Sequence, residues 1–154
     1  MNIQLGLAKC KDAPAIANMA RNLIEHGLPW SWNERRIMRC LANPDCVVVT
    51  AQDARRLVGF AIMEFLDDRA HLSLLAVQPG CQRMGVGRAL LEWLHSSART
   101  AGTFLVHLEI RAGNEPAKAF YKSLGFREAG ARRGYYSGKE DAVRMARDLT
   151  VNAG

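Results

Sequence analysis

From Ala70 to Ile110 the sequence reads as an apolar strand, a glycine-broken turn, an amphipathic helix and a second strand, and no other feature constrains the fold as tightly. The first strand, Ala70 to Val77, closes on Pro79-Gly80. Gln82-Arg83-Met84-Gly85-Val86-Gly87 follows, then a helix with Val86, Leu90, Trp93 and Leu94 as its apolar stripe. Gly102 breaks that helix, and Thr103 to Ile110 is a strand again. Two strands joined through a helix in this way lie parallel, with a right-handed crossover.

The rest of the chain adds antiparallel pieces. Ile3, Leu5 and Leu7 alternate as a strand. Asp12 is expected to cap a helix with Pro14 in its first turn and Ile16, Met19, Ala20, Leu23 and Ile24 on one face. Ser31 and Glu34 have the spacing of a capping box for a second helix that runs to about Leu41. Cys46 to Gln52, Leu57 to Leu66 and Ala70 to Val77 read as consecutive antiparallel strands. Asn114 and Pro116 open a last helix, which Gly125 stops, and two strands cover roughly Phe126 to Arg132 and Asp141 to Leu149. The order β-α-α-β-β-β-α-β-α-β-β predicts an α/β (α+β) fold, a mixed and mostly antiparallel central sheet with helices on both faces. Without a linker or repeat, residues 1–154 are expected to form a single domain.

Apolar residues make up 49% of the chain, enough for one core, and no apolar run reaches the roughly 18 residues of a membrane span. The N-terminus lacks a signal-type flank, so a cytoplasmic protein with no membrane partner is expected. The cysteines Cys10, Cys40, Cys46 and Cys81 form no CxxC pair and have no histidine at ligand spacing, so they are read as reduced thiols, with no metal. The net charge of +6 suits an anionic partner. Its arginines are scattered and not interleaved with aromatics, so no direct nucleic-acid binding is expected.

Glycines between a strand and a helix let the backbone take left-handed angles and approach a ligand closely. The free N–H groups of the helix start, with its dipole, favour a pyrophosphate, and Arg83 and Arg88 add positive charge. No Gly-Lys-Ser/Thr follows, so the turn is not a nucleotide-hydrolase loop, and a dinucleotide fingerprint lacks its third glycine.

The segment Leu74-Leu75-Ala76-Val77-Gln78-Pro79, followed by Gln82-Arg83-Met84-Gly85-Val86-Gly87-Arg88-Ala89-Leu90-Leu91, resembles the GNAT family of acetyl-CoA-dependent N-acetyltransferases. The element order agrees over the whole chain. The resemblance implies that acetyl-CoA is the acetyl donor. Its pantetheine arm would lie on Leu75, Ala76 and Val77, and its pyrophosphate on Arg83, Met84, Gly85, Val86, Gly87 and Arg88.

In the second half, Leu108-Glu109-Ile110-Arg111-Ala112-Gly113-Asn114, Ala119-Phe120-Tyr121-Lys122-Ser123-Leu124-Gly125-Phe126 and Arg132-Arg133-Gly134-Tyr135-Tyr136, then Glu140-Asp141-Ala142, look like the RimI type within that family. Those enzymes acetylate the N-terminal alanine of a small-subunit ribosomal protein. The likeness implies that Glu109 is the general base and Tyr121 the general acid, and that Asn114 contacts the cofactor. It makes the N-terminus of a ribosomal protein the expected acceptor. Gly113 replaces the usual serine, and Trp32 to Thr50 matches no part of the pattern, although it should form part of the substrate-facing wall.

The residues themselves leave alternatives. By period two, His107, Glu109 and Arg111 share a face of their strand, so His107 is a rival base, with an ordinary pKa near 6.5. Glu109 read alone is a carboxylate paired with Arg111 or a lysine, and Tyr121 alone is a core aromatic. An α-amine, with pKa about 7.7–8.0, costs on the order of 1.4 kcal/mol to neutralise at pH 7, against about 4–5 for a lysine near 10.4. This favours an α-amine acceptor. A small-molecule amine, with Glu64, Asp67 and Asp68 as acidic candidates, is the alternative; a non-catalytic acetyl-CoA-binding module is a further one, which the joint presence of Glu109 and Tyr121 opposes.

Overall fold

The computed structural model describes residues 2–136 and 140–150, with side chains over all of these but 131–136 and 140. Its strands are β1 (Ile3–Leu7), β2 (Cys46–Asp53), β3 (Arg56–Phe65), β4 (Ala70–Val77), β5 (Leu105–Arg111), β6 (Arg127–Tyr136) and β7 (Glu140–Asp148). Its helices are α1 (Ala13–Met19), α2 (Glu34–Ala42), α3 (Val86–Thr100) and α4 (Glu115–Ser123), in the expected order. The strands form one sheet in the order β1-β2-β3-β4-β5-β7-β6. Among the described residues only β4 and β5 are parallel, as their helical connection demands. Among the described residues no helix is long and apolar enough to cross a membrane.

Val58, Phe60, Ala61, Ile62 and Met63 of β3 are fully buried, because both faces of the sheet are covered. One core cluster packs Leu90, Leu91 and Leu94 of α3 and Tyr121 of α4 with Ala61, Met63 and Leu72. The other packs Ile16 of α1 and Ile37 of α2 with Phe60, Ile62 and Leu74. Each fully buried leucine or isoleucine contributes about 1.5–3 kcal/mol. Leu72 and Leu74 reach opposite clusters because the register slips between Ile62↔Leu74 and Met63↔Leu72, leaving Ser73 as an extra residue.

Two helix starts differ from the expected ones. Asn33, not Ser31, caps α2, its side chain accepting from the Arg36 N–H at 3.0 Å. Ser31 is taken up elsewhere: its N–H and hydroxyl both donate to the Glu25 carboxylate. Asp12 stands at the start of α1 but turns its carboxylate back to the Lys9 N–H at 2.8 Å, closing the preceding 3₁₀ turn. At its other end α1 widens into a π turn, Ala20–Ile24, which puts Leu23 and Ile24 beside the site described next.

β4 and β5 pair only at Ala70↔Val106 and His71↔His107. Beyond these rungs the two strands diverge, so the backbone edge of β4 from Leu72 to Val77 has only β3 for a neighbour.

Candidate active site

Three adjoining cavities run along this divergence. The first, of about 550 Å³, lies between Leu75, Ala76 and Val77 of β4, the turn before α3, and Asn114, Phe120 and Tyr121. Of the residues expected to hold a pyrophosphate, Arg83, Gly85, Val86, Gly87 and Arg88 line it, and so does Gln82, which was not among the expected cofactor contacts. Met84 does not; it is 53% exposed.

The turn owes its shape to two left-handed residues. Gly85 has φ +79° and stands at the N-cap of α3, which aims the first N–H groups of that helix at the cavity. The second is not a glycine: Arg83 holds φ +67°, a conformation that costs an L-residue on the order of 1–2 kcal/mol. Gly87 has ordinary helical angles and is needed for space, since a Cβ there would lie 3.2 Å from the Phe120 ring. Bare N–H groups and two exposed guanidinium groups suit a pyrophosphate. The unpaired edge of β4 suits an extended chain carrying amides, as a further strand would.

Tyr121, Asn114, Leu75 and Ala117 belong also to a second cavity, which fills the gap between β4 and β5. Tyr121 is 8% exposed, its ring edge-on to Phe120 and Phe126. Asn114 is the N-cap of α4, accepting from the Ala117 N–H at 3.2 Å.

Glu109 lies at the other end of this gap and joins it to a third cavity, lined by Glu25, Leu28, Ser31, Trp32, Arg36 and His71. Its side chain is only 3% exposed. Among the described residues, Arg144 of β7, its direct cross-strand neighbour, donates to Oε1 from Nη2 at 2.8 Å and Nε at 2.9 Å. Oε2 lies 3.5 Å from Nε2 of His71. Arg111 instead donates to the carbonyls of Ile24 and His26, at 2.9 and 3.0 Å, and pins the end of the π turn.

The rival base, His107, lines none of these three cavities. Burial, then the neighbouring His71, pushes its pKa down to about 4. At neutral pH it is an uncharged ring, tilted against that of His71 with centroids 4.7 Å apart, with little affinity for a proton.

The wall of the third cavity is built around Glu25, a buried carboxylate that accepts from the N–H groups of Ser31 and Trp32 at 3.1 Å each. The Arg36 guanidinium covers the Trp32 ring at 3.6 Å. From the unmatched stretch Trp32 to Thr50, Trp32 and Arg36 face this cavity, while Ile37 and Val48 pack in the core. His71 and Arg144 had no signal in sequence, because each matters only through a partner far along the chain, and Glu25 had none because its partners lie in the irregular loop before α2. The side chains of Arg132 to Tyr136 and of Glu140, part of the second-half motif, lie outside the described residues.

Residues 15–126 match the model of the acetyltransferase (GNAT) family. The chain is 45% identical over 106 residues to a ribosomal-protein alanine N-acetyltransferase of Salmonella typhimurium, covering 67% of this chain and 70% of that one. It is 34% identical over 152 residues to the N-alpha-acetyltransferase RimI of Mycobacterium tuberculosis, covering 95% and 92%. The crystal structure of the ribosomal-protein alanine N-acetyltransferase from Escherichia coli superposes with a TM-score of 0.82 at 34% identity, over 96% of this chain and 94% of that one.

Proposed function

From the premise that this chain belongs to the GNAT family and is an acetyl-transferring enzyme, we propose that it moves the acetyl group of acetyl-CoA to the N-terminal α-amine of a protein. The acceptor is the N-terminal alanine of a ribosomal protein, as the names of its relatives suggest. A cytoplasmic location goes with that acceptor.

One observation carries the reading: Tyr121 and Glu109 stand at the two junctions of the three cavities. A donor laid along β4 from the α3 turn and an acceptor entering past Trp32 meet between them. Leu75, Ala76 and Val77 hold the pantetheine arm through their backbone edge. Arg83, Gly85, Val86, Gly87 and Arg88 hold the pyrophosphate, and Asn114 lies between phosphate turn and gap.

Glu109 acts as general base and removes one proton from the α-ammonium. Arg144 holds Oε1 through two guanidinium nitrogens and so aims the carboxylate at the cavities that Glu109 lines. The neutral amine attacks the thioester carbonyl, the C–N bond forms and the C–S bond breaks. Tyr121 gives its phenolic proton to the departing thiolate and takes up the second proton that the new amide nitrogen sheds, while Glu109 releases the first to water. The smaller cost of neutralising an α-amine matches a single carboxylate better than a lysine side chain does.

The test is a panel of N-terminal peptides, internal-lysine peptides and small amines, each incubated with acetyl-CoA while free thiol is followed. Preference for an alanine N-terminus supports the acceptor; preference for a polyamine or an internal lysine overturns it while leaving the acetyl transfer in place.

A further inference from the structure

On the α1–α2 face of the sheet a row of chemically active side chains crosses four strands. Cys46 pairs with Glu64, Glu64 with His71, and His71 with His107, each as direct cross-strand partners. Side chains so paired share a face and stand about 5 Å apart at Cβ. Cys40, from the last turn of α2, joins the row at its outer end.

We propose that Cys40, Cys46 and Glu64 form a binding site for a soft divalent cation of the zinc or cadmium kind. The Sγ atoms and a carboxylate oxygen all lie within 4.8 Å of one another. Two thiolates and a carboxylate are the donor set that a borderline-soft cation prefers over magnesium or calcium. Three protein ligands leave a fourth tetrahedral position for water. The burial fits this, since Cys40 is buried at the base while Cys46 and Glu64 are half-buried at the rim.

The ligands are preorganised. Cys40 and Cys46 flank the turn Asn43-Pro44-Asp45, which is tied by Asn43 N–H to the Cys40 carbonyl and by Cys46 N–H to the Asn43 carbonyl, both at 3.1 Å. The Asn43 side chain also accepts from the Asp45 N–H at 2.9 Å. Cation binding displaces the thiol protons to solvent, two for two thiols, and leaves Zn²⁺ or Cd²⁺ on two thiolates and one carboxylate. In the sequence, with no CxxC and no spaced histidine, this set is invisible, because Glu64 comes from the neighbouring strand.

The experiment titrates the full chain, kept reduced by a phosphine, with Cd²⁺ and follows the thiolate-to-cadmium absorbance. Thiol counting with a disulfide reagent runs alongside. One Cd²⁺ per chain and protection of two thiols are expected. Cys46→Ser should abolish the absorbance. Glu64→Gln should weaken binding by at least the roughly 10-fold that even an outer-shell partner contributes. Cys10→Ser and Cys81→Ser should bind as the parent does. Cys40 is buried, so the two rim variants carry the test if Cys40→Ser does not fold. Absence of binding in the parent, binding that survives Cys46→Ser, or binding that follows Cys10 or Cys81 overturns the site. None of these readouts uses acetyl transfer, so failure here and failure of the proposed reaction are distinguishable.

Discussion

Arg144 places two guanidinium nitrogens on a single oxygen of Glu109, at 2.8 and 2.9 Å, across adjacent strands and 35 residues apart in sequence. A carboxylate held this way, with its side chain 3% exposed, has its aim fixed by the sheet. Whatever proton chemistry it performs takes place in the cavity it faces.

Glu109→Gln should fold and bind acetyl-CoA like the parent and lose turnover by about 10²–10⁴-fold, because the amide has the same shape and cannot accept the proton. His107→Gln should keep the ascending limb of the pH–rate profile, since a ring whose pKa lies at about 4 is already neutral at working pH. Loss of that limb in His107→Gln, with its retention in Glu109→Gln, would make His107 the base. Both profiles are measured with an α-amine peptide.

Arg144→Gln should lower turnover in the parent and change little in the Glu109→Gln background. Two residues that act as one unit are non-additive in this way. The four-member kinetic cycle checks it; fully additive losses would make Arg144 a residue of the sheet only.

Tyr121→Phe keeps the ring that packs against Phe120 and Phe126 and removes only the hydroxyl. Thermal stability and acetyl-CoA affinity should hold while turnover drops by about 10²–10⁴-fold. Near-normal turnover would return Tyr121 to a purely packing role.

Gly85→Asp and Gly87→Asp should abolish acetyl-CoA binding in calorimetry, for different reasons. At Gly85 the side chain has room but the left-handed angle does not suit it, and the charge faces the phosphate ground. At Gly87 the angle is permissive, and the obstacle is the Phe120 ring at 3.2 Å. Gly85→Ala should therefore weaken binding mainly through the turn, and Gly87→Ala through the displaced ring. Parent affinity should also fall with added salt.

Two buried histidines make the fold less stable in acid. Burial, followed by Arg147, pushes His95 down to about 4, and His107 is pushed to about the same value by burial and His71. Their folded-state pKa lies below the unfolded 6.5, so the unfolded chain binds more protons between these values. Their contribution is fully present above about pH 6.5 and is lost as pH falls toward 4, on the order of 3 kcal/mol for each. Denaturant unfolding at stepped pH should show this slope, and His95→Gln and His107→Gln should each flatten it.

What the sequence determined by itself is everything set by near neighbours along the chain. Period two and period 3.6 are local properties, so the order of strands and helices was legible, as was the parallel β4–β5 pair forced by α3. The glycine turn was legible too, because Gly85 needs its angle wherever the chain goes. Caps were less so, since Ser31 and Asn33 are both competent and only the folding of the loop back onto the Glu25 carboxylate decides between them. Tertiary structure alone decided the lateral position of β7 between β5 and β6, and with it the Glu109–Arg144 pair. It also decided the slip at Ser73, the gap beyond His71, and the meeting of Cys46 with Glu64. Strand periodicity says which face a side chain takes but not which strand lies beside it. That choice is made by packing the whole sheet against its two helical layers, and the candidate site is assembled from those lateral neighbours.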